Sequence, residues 1–219
     1  YASARASDHD PYRLSGSLRY GSQGDTRRVE TLLWSNGYLP IRLDVMAGIG
    51  ALGARIQETQ DSFTAYAPNE NKAIVHKGPQ RVQLNFGRPV PFSLRDFSSL
   101  MRGRFHEVFG AAEGLNPRAL PNGDIAFTLS GGILPGMLEL RPDGLPVRWS
   151  AEKGWVMDIT YDDGNPPLPY KFKLTHPDGY SAILLVKDRQ KPNAAFRDDQ
   201  LALELPAGTI IEPIKKGGN

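Results

Sequence analysis

The spacing most suggestive of chemistry belongs to glycines. Gly48-Ile49-Gly50-Ala51-Leu52-Gly53 is a literal G-x-G-x-x-G, in which a strand, a tight turn and a helix N-terminus would cradle a pyrophosphate. Glu70, about twenty residues past Gly50, stands where a ribose-binding acid would be wanted. The residues after the glycines argue against that use. Only about ten residues separate Gly53 from the strand-like "SFTAY", too few for a crossover helix. Beyond Glu70, "NKAIVHKGPQRVQLNF" has strand character where a second helix is needed. These glycines are expected in a strand-to-strand loop.

Other chemistries find less. His9, His76, His106 and His176 are scattered, and no two stand at i, i+3 or i+4, so no metal site is expected. The chain has no cysteine, which excludes disulfides, thiolate catalysis and cysteine-ligated zinc. "LSGG" at 129–132 lacks the G-x-S-x-G of a nucleophile elbow, and no Walker-type loop occurs. Asp162-Asp163 and Asp198-Asp199 sit in turn-like surroundings, where charge is solvated. No catalytic constellation and no cofactor is expected, and the chain reads as a non-enzyme.

The elements around these residues are short. The chain has 219 residues, 40% of them apolar, enough to bury a substantial core. Its 26 basic and 24 acidic residues are interspersed, for a formal net charge of +2, which gives nucleic-acid binding no electrostatic support. No run reaches the roughly 18–20 apolar residues of a transmembrane helix. The sequence starts at Tyr1, read as a processed or trimmed N-terminus.

Gly (23) and Pro (18) fall between short apolar segments that alternate with period two. Leu14, Gly16, Leu18 and Tyr20 share one face, as do Leu39, Ile41, Leu43 and Val45. The pattern recurs in Ile125, Phe127 and Leu129; in Trp155, Met157, Ile159 and Tyr161; in Tyr170, Phe172 and Leu174; and in Tyr180, Ala182, Leu184 and Val186. Asn36-Gly37, Asp143-Gly144, Asp163-Gly164 and Asp178-Gly179 can supply positive φ for tight hairpins. An antiparallel meander of about ten or eleven strands is expected, more than a flat open sheet tolerates before it curls.

One stretch breaks the rhythm. In "PVPFSLRDFSSLMRGRFHEVFG" (89–110), Leu94, Phe97, Leu100 and Met101 share a helical face with Ser93 as N-cap. Phe105, Val108 and Phe109 predict a second short helix after Gly103, and Asn116-Pro117 a further helix start. The predicted fold is therefore mainly β, a curved sheet with a short helical insert on its concave side. Leu18, Leu43, Val45, Phe97, Leu100, Met101, Phe127, Trp155, Met157, Ile159, Phe172 and Leu184 are the candidate binding residues. Singly, each is core-like. Together they make a greasy concavity with one modest insert to fill it, leaving room for an elongated apolar ligand.

The order of segments resembles the LolB family of outer-membrane lipoprotein receptors and, more broadly, the LolA/LolB fold. "VETLLW" (29–34) before "LPIRLDVMAGIG" is similar to the family's Trp-ended strand, next strand and Gly-containing loop. "PVPFSLRDFSSLMRG" resembles its Pro-rich entry into a helix ending in Gly, and "LELRPDGLPVRWS" its Asp-Gly hairpin. Residues 154–188 resemble its closing run of strands, and the likeness spans about 13–190.

The resemblance implies a half-open, incomplete β-barrel binding the acyl chains of a lipoprotein or other lipid. It implies a periplasmic carrier as donor and the inner leaflet of the outer membrane as destination. It also implies anchoring as a lipoprotein at the periplasmic face of that membrane, through an N-terminus absent from this sequence. By position Ile49, with Leu52 nearby, takes the place of the family's membrane-contacting loop residue.

Three parts are expected: a polar linker at 1–12, the half-barrel at 13–190, and an extension at 191–219 with an extra strand. The family's first helix has no counterpart in the short polar 1–12, and residues 103–123 form a longer insert than usual. The alternative is a non-catalytic assembly module of the cell envelope whose interior is simply packed.

Overall fold

The computed structural model describes residues 10–48, 50–110, 117–130 and 134–214. The alternating segments become strands because one face of each is apolar and the other wet. β1 (Tyr12–Ser22), β2 (Asp25–Ser35), β3 (Ile41–Ala47), β4 (Ala51–Glu58), β5 (Ser62–Ala67) and β6 (Lys72–Lys77) are successive antiparallel neighbours. The chain then forms a separate hairpin, β7 (Gln83–Asn85) and β8 (Pro89–Ser93), followed by α1 (Leu94–Arg102) and α2 (His106–Phe109).

It rejoins the sheet at the opposite edge. β9 (Arg118–Ala119), β10 (Ile125–Leu129), β11 (Gly136–Leu140), β12 (Pro146–Ser150), β13 (Val156–Tyr161), β14 (Pro169–Thr175) and β15 (Ser181–Gln190) run inward until β15 pairs with β1. A tail carries α3 (Asp198–Leu201) and β16 (Ile210–Pro213), which pairs in parallel with β6. The result is one curved fourteen-stranded sheet, an open half-barrel with β16 and β9 at its two edges.

Sixteen strands are present among the described residues, more than the ten or eleven expected. The excess is in pieces such as β7 and β9, of three and two residues, too short to show alternation. Arg118–Ala119 is strand where Pro117 predicts a helix; Asn116 lies outside the described residues.

Two other expectations fail locally. Gly164 does not adopt positive φ. Its loop is built instead by Asp162, whose Oδ1 accepts from the backbone N–H groups of Leu168 at 2.8 Å and Gly164 at 3.1 Å. Those bonds hold the Asp162 carboxyl below its ordinary range. Tyr170 does not share a face with Phe172, because a bulge pairs Tyr161 with Pro169 and turns Tyr170 outward. Gly144 and Gly179 do turn their hairpins with φ of 84° and 86°.

The tail crosses the outer face. Trp34, Arg42 and Gln57 lie side by side on β2, β3 and β4. They donate to the carbonyls of Gln200, Ala202 and Leu201 at 3.0, 2.6 and 2.6 Å. Tyr66, Ala73 and Leu201 are buried on this side, apart from the main core.

Candidate functional site: an apolar interior under a hairpin

Strand register assembles the floor. Leu18 of β1 faces Leu184 of β15, which faces Phe172 of β14; Leu174 faces both Ala182 and Met157 of β13. Pairing across four adjacent strands thus sets one continuous apolar surface. The roof is Leu84, Phe86, Val90 and Phe92 of the β7–β8 hairpin, with Phe97 and Leu100 of α1. Between them lies a void of about 40 Å³ whose walls are all apolar side chains.

Such a void has the volume of about three waters, at roughly 10–15 Å³ each, and apolar cavities stay dry. The wide space expected from the sequence is therefore filled. The β7–β8 hairpin fills it, adding four apolar side chains that the helical insert alone could not supply.

The helix is bolted in place. Ser93 and Asp96 form a reciprocal cap: Ser93 N–H donates to Asp96 Oδ2 at 2.9 Å, and Asp96 N–H to Ser93 Oγ at 3.3 Å. Arg95 pairs its guanidinium with buried Glu58, donates its backbone N–H to the same carboxylate at 3.3 Å and reaches the Thr59 carbonyl at 3.2 Å. Burial pushes the Glu58 carboxyl up, against the pull of Arg95. Asp96 pairs with Arg81, Tyr12 and Ser98 hydroxyls meet at 2.7 Å, and Arg189 donates to the Met101 carbonyl at 3.1 Å. Every residue from Leu94 to Met101 is buried, so α1 has no wet outer face.

The hairpin is held at its tip. Tyr180 Oη donates to the Phe86 carbonyl at 2.8 Å, and burial pushes its phenol up to about 12. Arg88 pairs with Asp178 and lies over the Trp155 ring, 5.6 Å from its centroid. Phe86 packs between Tyr20 and Phe97 at centroid distances of 5.7 and 6.3 Å. Outside the hairpin runs a second concavity, about 350 Å³, between β8 and the β12–β13 turn.

Of the candidate residues, Leu18, Phe97, Leu100, Met157, Phe172 and Leu184 line the void. Leu43, Val45, Met101 and Ile159 belong to the surrounding core, Phe127 is half-buried against it, and Trp155 lines the outer concavity. Leu84, Phe86, Val90 and Phe92 were missed, though "QLNFGRPVPF" alternates on both sides of Gly87-Arg88 as a hairpin should. The G-x-G-x-x-G lies on the β3–β4 hairpin. Gly48 and Gly50 turn it with φ of 59° and 74°, and antiparallel pairing of the two strands leaves no crossover helix. Leu52 is half-buried opposite Met46, and Ile49 lies outside the described residues.

A half-open antiparallel barrel with its insert packed into the concave side is the LolA/LolB fold. No protein-family model matches the sequence, and no curated protein does. Among solved structures, a DUF1329 family protein from Desulfovibrio piger is similar with a TM-score of 0.56 at 10% identity, covering 89% of this chain and 90% of its own. A LolA superfamily protein from Nitrosomonas europaea gives 0.54 at 10% identity, covering 89% and 91%. A domain assigned to outer membrane lipoprotein sorting in Vibrio parahaemolyticus gives 0.54 at 11% identity, covering 90% and 92%.

Proposed function

We propose that the protein binds the acyl chain of a lipoprotein or other lipid between its sheet and its β7–β8 hairpin, and hands it on at the bacterial outer membrane. The observation that carries this reading is the void: its walls hold no polar group, and its roof is a short hairpin latched at one end. A buried methylene is worth about 0.8 kcal/mol, so a chain of ~15 carbons gains on the order of 10 kcal/mol gross. That gain can offset the packing that the hairpin gives up as it lifts. Transfer then needs burial, with no bond made or broken.

The finer parts of the proposal are a LolB-like receptor, anchored as a lipoprotein at the periplasmic face and loaded by a periplasmic carrier; the fold likeness supports the lipid-binding class to which they belong. No helix among the described residues is long and apolar enough to cross a membrane. The second reading is an assembly module with a simply packed interior. The small size of the void favours it.

A fluorescent fatty-acid analogue distinguishes the two. Saturable binding, displaced by unlabelled fatty acid, supports the first; no binding at any concentration below micelle formation supports the second. Tyr180→Phe is expected to cost about 0.5–1.5 kcal/mol, since it removes one bond and leaves the Phe86 carbonyl unpaired. It should also raise hydrophobic-dye binding by the folded protein. Dye binding equal to that of the wild type would show that the tip latch does not gate the interior.

A further inference from the structure

The alternation that turns Leu18, Val29, Phe172 and Leu184 inward turns Arg19, Arg28, Lys173 and Leu185 outward. Register then gathers the outward cations. Arg28 of β2 faces Arg19 of β1, Arg19 faces Ile183 of β15, and Ile183 faces Lys173 of β14. Lys171 stands one step along β14, opposite Leu185, and Lys187 follows on β15. These four strands hold eight Lys and Arg residues against three acids, Asp25, Glu30 and Asp188. The chain as a whole is nearly balanced, with 26 basic and 24 acidic residues, so the excess is local.

Arg19 and Arg28 are like charges set directly opposite, which destabilises a sheet and which an external anion would relieve. Within the fold each guanidinium leans on a hydroxyl: Arg19 on Thr26 at 3.3 Å and Arg28 on Ser17 at 3.0 Å. Glu30 lies 3.7 Å from Arg28 and is shared with Lys187, which it meets at 2.8 Å.

We propose that this outer face of β1, β2, β14 and β15 docks on a bilayer of anionic phospholipid, its cations meeting the headgroup phosphates. The face is the convex side of the sheet, with Ile183 and Leu185 standing between the cations. A surface of many mobile phosphates can meet all the cations at once. A folded acidic protein would need carboxylates at fixed points, and a single small anion would meet only one or two of them. Docked so, the sheet lies between the bilayer and the β7–β8 hairpin, and the hairpin faces the aqueous side. The proposal does not depend on what the interior holds.

The test is flotation of the full chain with phosphatidylcholine vesicles, with or without about 30% phosphatidylglycerol, at about 50 mM and about 500 mM salt. Binding should need phosphatidylglycerol and should be lost at the higher salt. Each cation removed should weaken it about fivefold, so Lys171→Gln/Lys173→Gln should weaken it by about twentyfold or more. Circular dichroism should stay unchanged. Lys77→Gln/Lys153→Gln makes the same charge change at exposed residues off this face, and should bind within about twofold of wild type. Equal binding to both kinds of vesicle, or equal loss in the two double variants, would overturn the proposal. So would absence of vesicle binding; if polyglutamate then shielded Lys171 and Lys173 from acetylation, the face would belong to an acidic protein. Any of these failures would leave acyl-chain binding in the interior standing, since the fatty-acid analogue reads that separately.

Discussion

Replacing Arg95 with alanine is expected to destabilise the protein by about 3–5 kcal/mol, the usual cost of stranding one member of a buried ion pair. Glu58 is 1% exposed and takes two donors from Arg95, the guanidinium and the backbone N–H; only the second survives the substitution. The denaturation midpoint should fall with the slope unchanged. The double variant Glu58→Leu/Arg95→Met should recover most of the loss, because two apolar groups need no partner. A loss below about 1 kcal/mol for Arg95→Ala, typical of an exposed pair, would mean that α1 is loosely seated and can swing as a lid. The opposite is expected: α1 is a fixed wall and the hairpin is the moving part.

Phe172→Ala is expected to cost about 3–5 kcal/mol, from lost burial plus the cavity left behind. It is also expected to be rescued by ligand. The deleted ring faces the void, so the cavity created joins it and gives an alkyl chain more room. Decanoate at about 100 times its Kd should return about 2.7 kcal/mol of stability, read as a rise in Tm. Leu185→Ala is the control, since Leu185 is 37% exposed on the outer face of the same sheet. It should shift stability by no more than about 0.5 kcal/mol and show no difference from wild type in its response to decanoate. A destabilised Phe172→Ala protein whose Tm ignores decanoate would mean that the interior is closed to ligand.

The floor of this site was legible because it depends on period two alone. Leu18, Met157, Phe172 and Leu184 each lie in a run that alternates over five or more residues, and hairpin turns fix which runs are neighbours. α1 was legible for a similar reason, with its cap, periodicity and terminal Gly103 all local. The roof was not. Leu84 and Phe86 lie in or beside a three-residue strand, where alternation is too brief to separate a hairpin from a loop, and nothing local says that it packs inward.

Tyr170 was misplaced because a bulge shifts face without changing residue types. The buried state of Arg95 and Glu58 was equally hidden. Thirty-seven residues separate them, and each alone reads as a solvated charge. The tail's course over Trp34, Arg42 and Gln57 rests on bonds to its backbone carbonyls, which any sequence offers.

Photo-crosslinking tests the central claim most directly. A fatty acid with a diazirine in mid-chain, irradiated with the protein and mapped by peptide mass spectrometry, should label the inward residues. Leu184 and its pairing partners Leu18 and Phe172 are the expected sites, with Val90 and Phe92 labelled from the hairpin side. Leu185, one residue away and facing out, should stay unlabelled. Label confined to Leu185 and the exposed Ile210 and Ile211, with the inner face clean, would contradict the account.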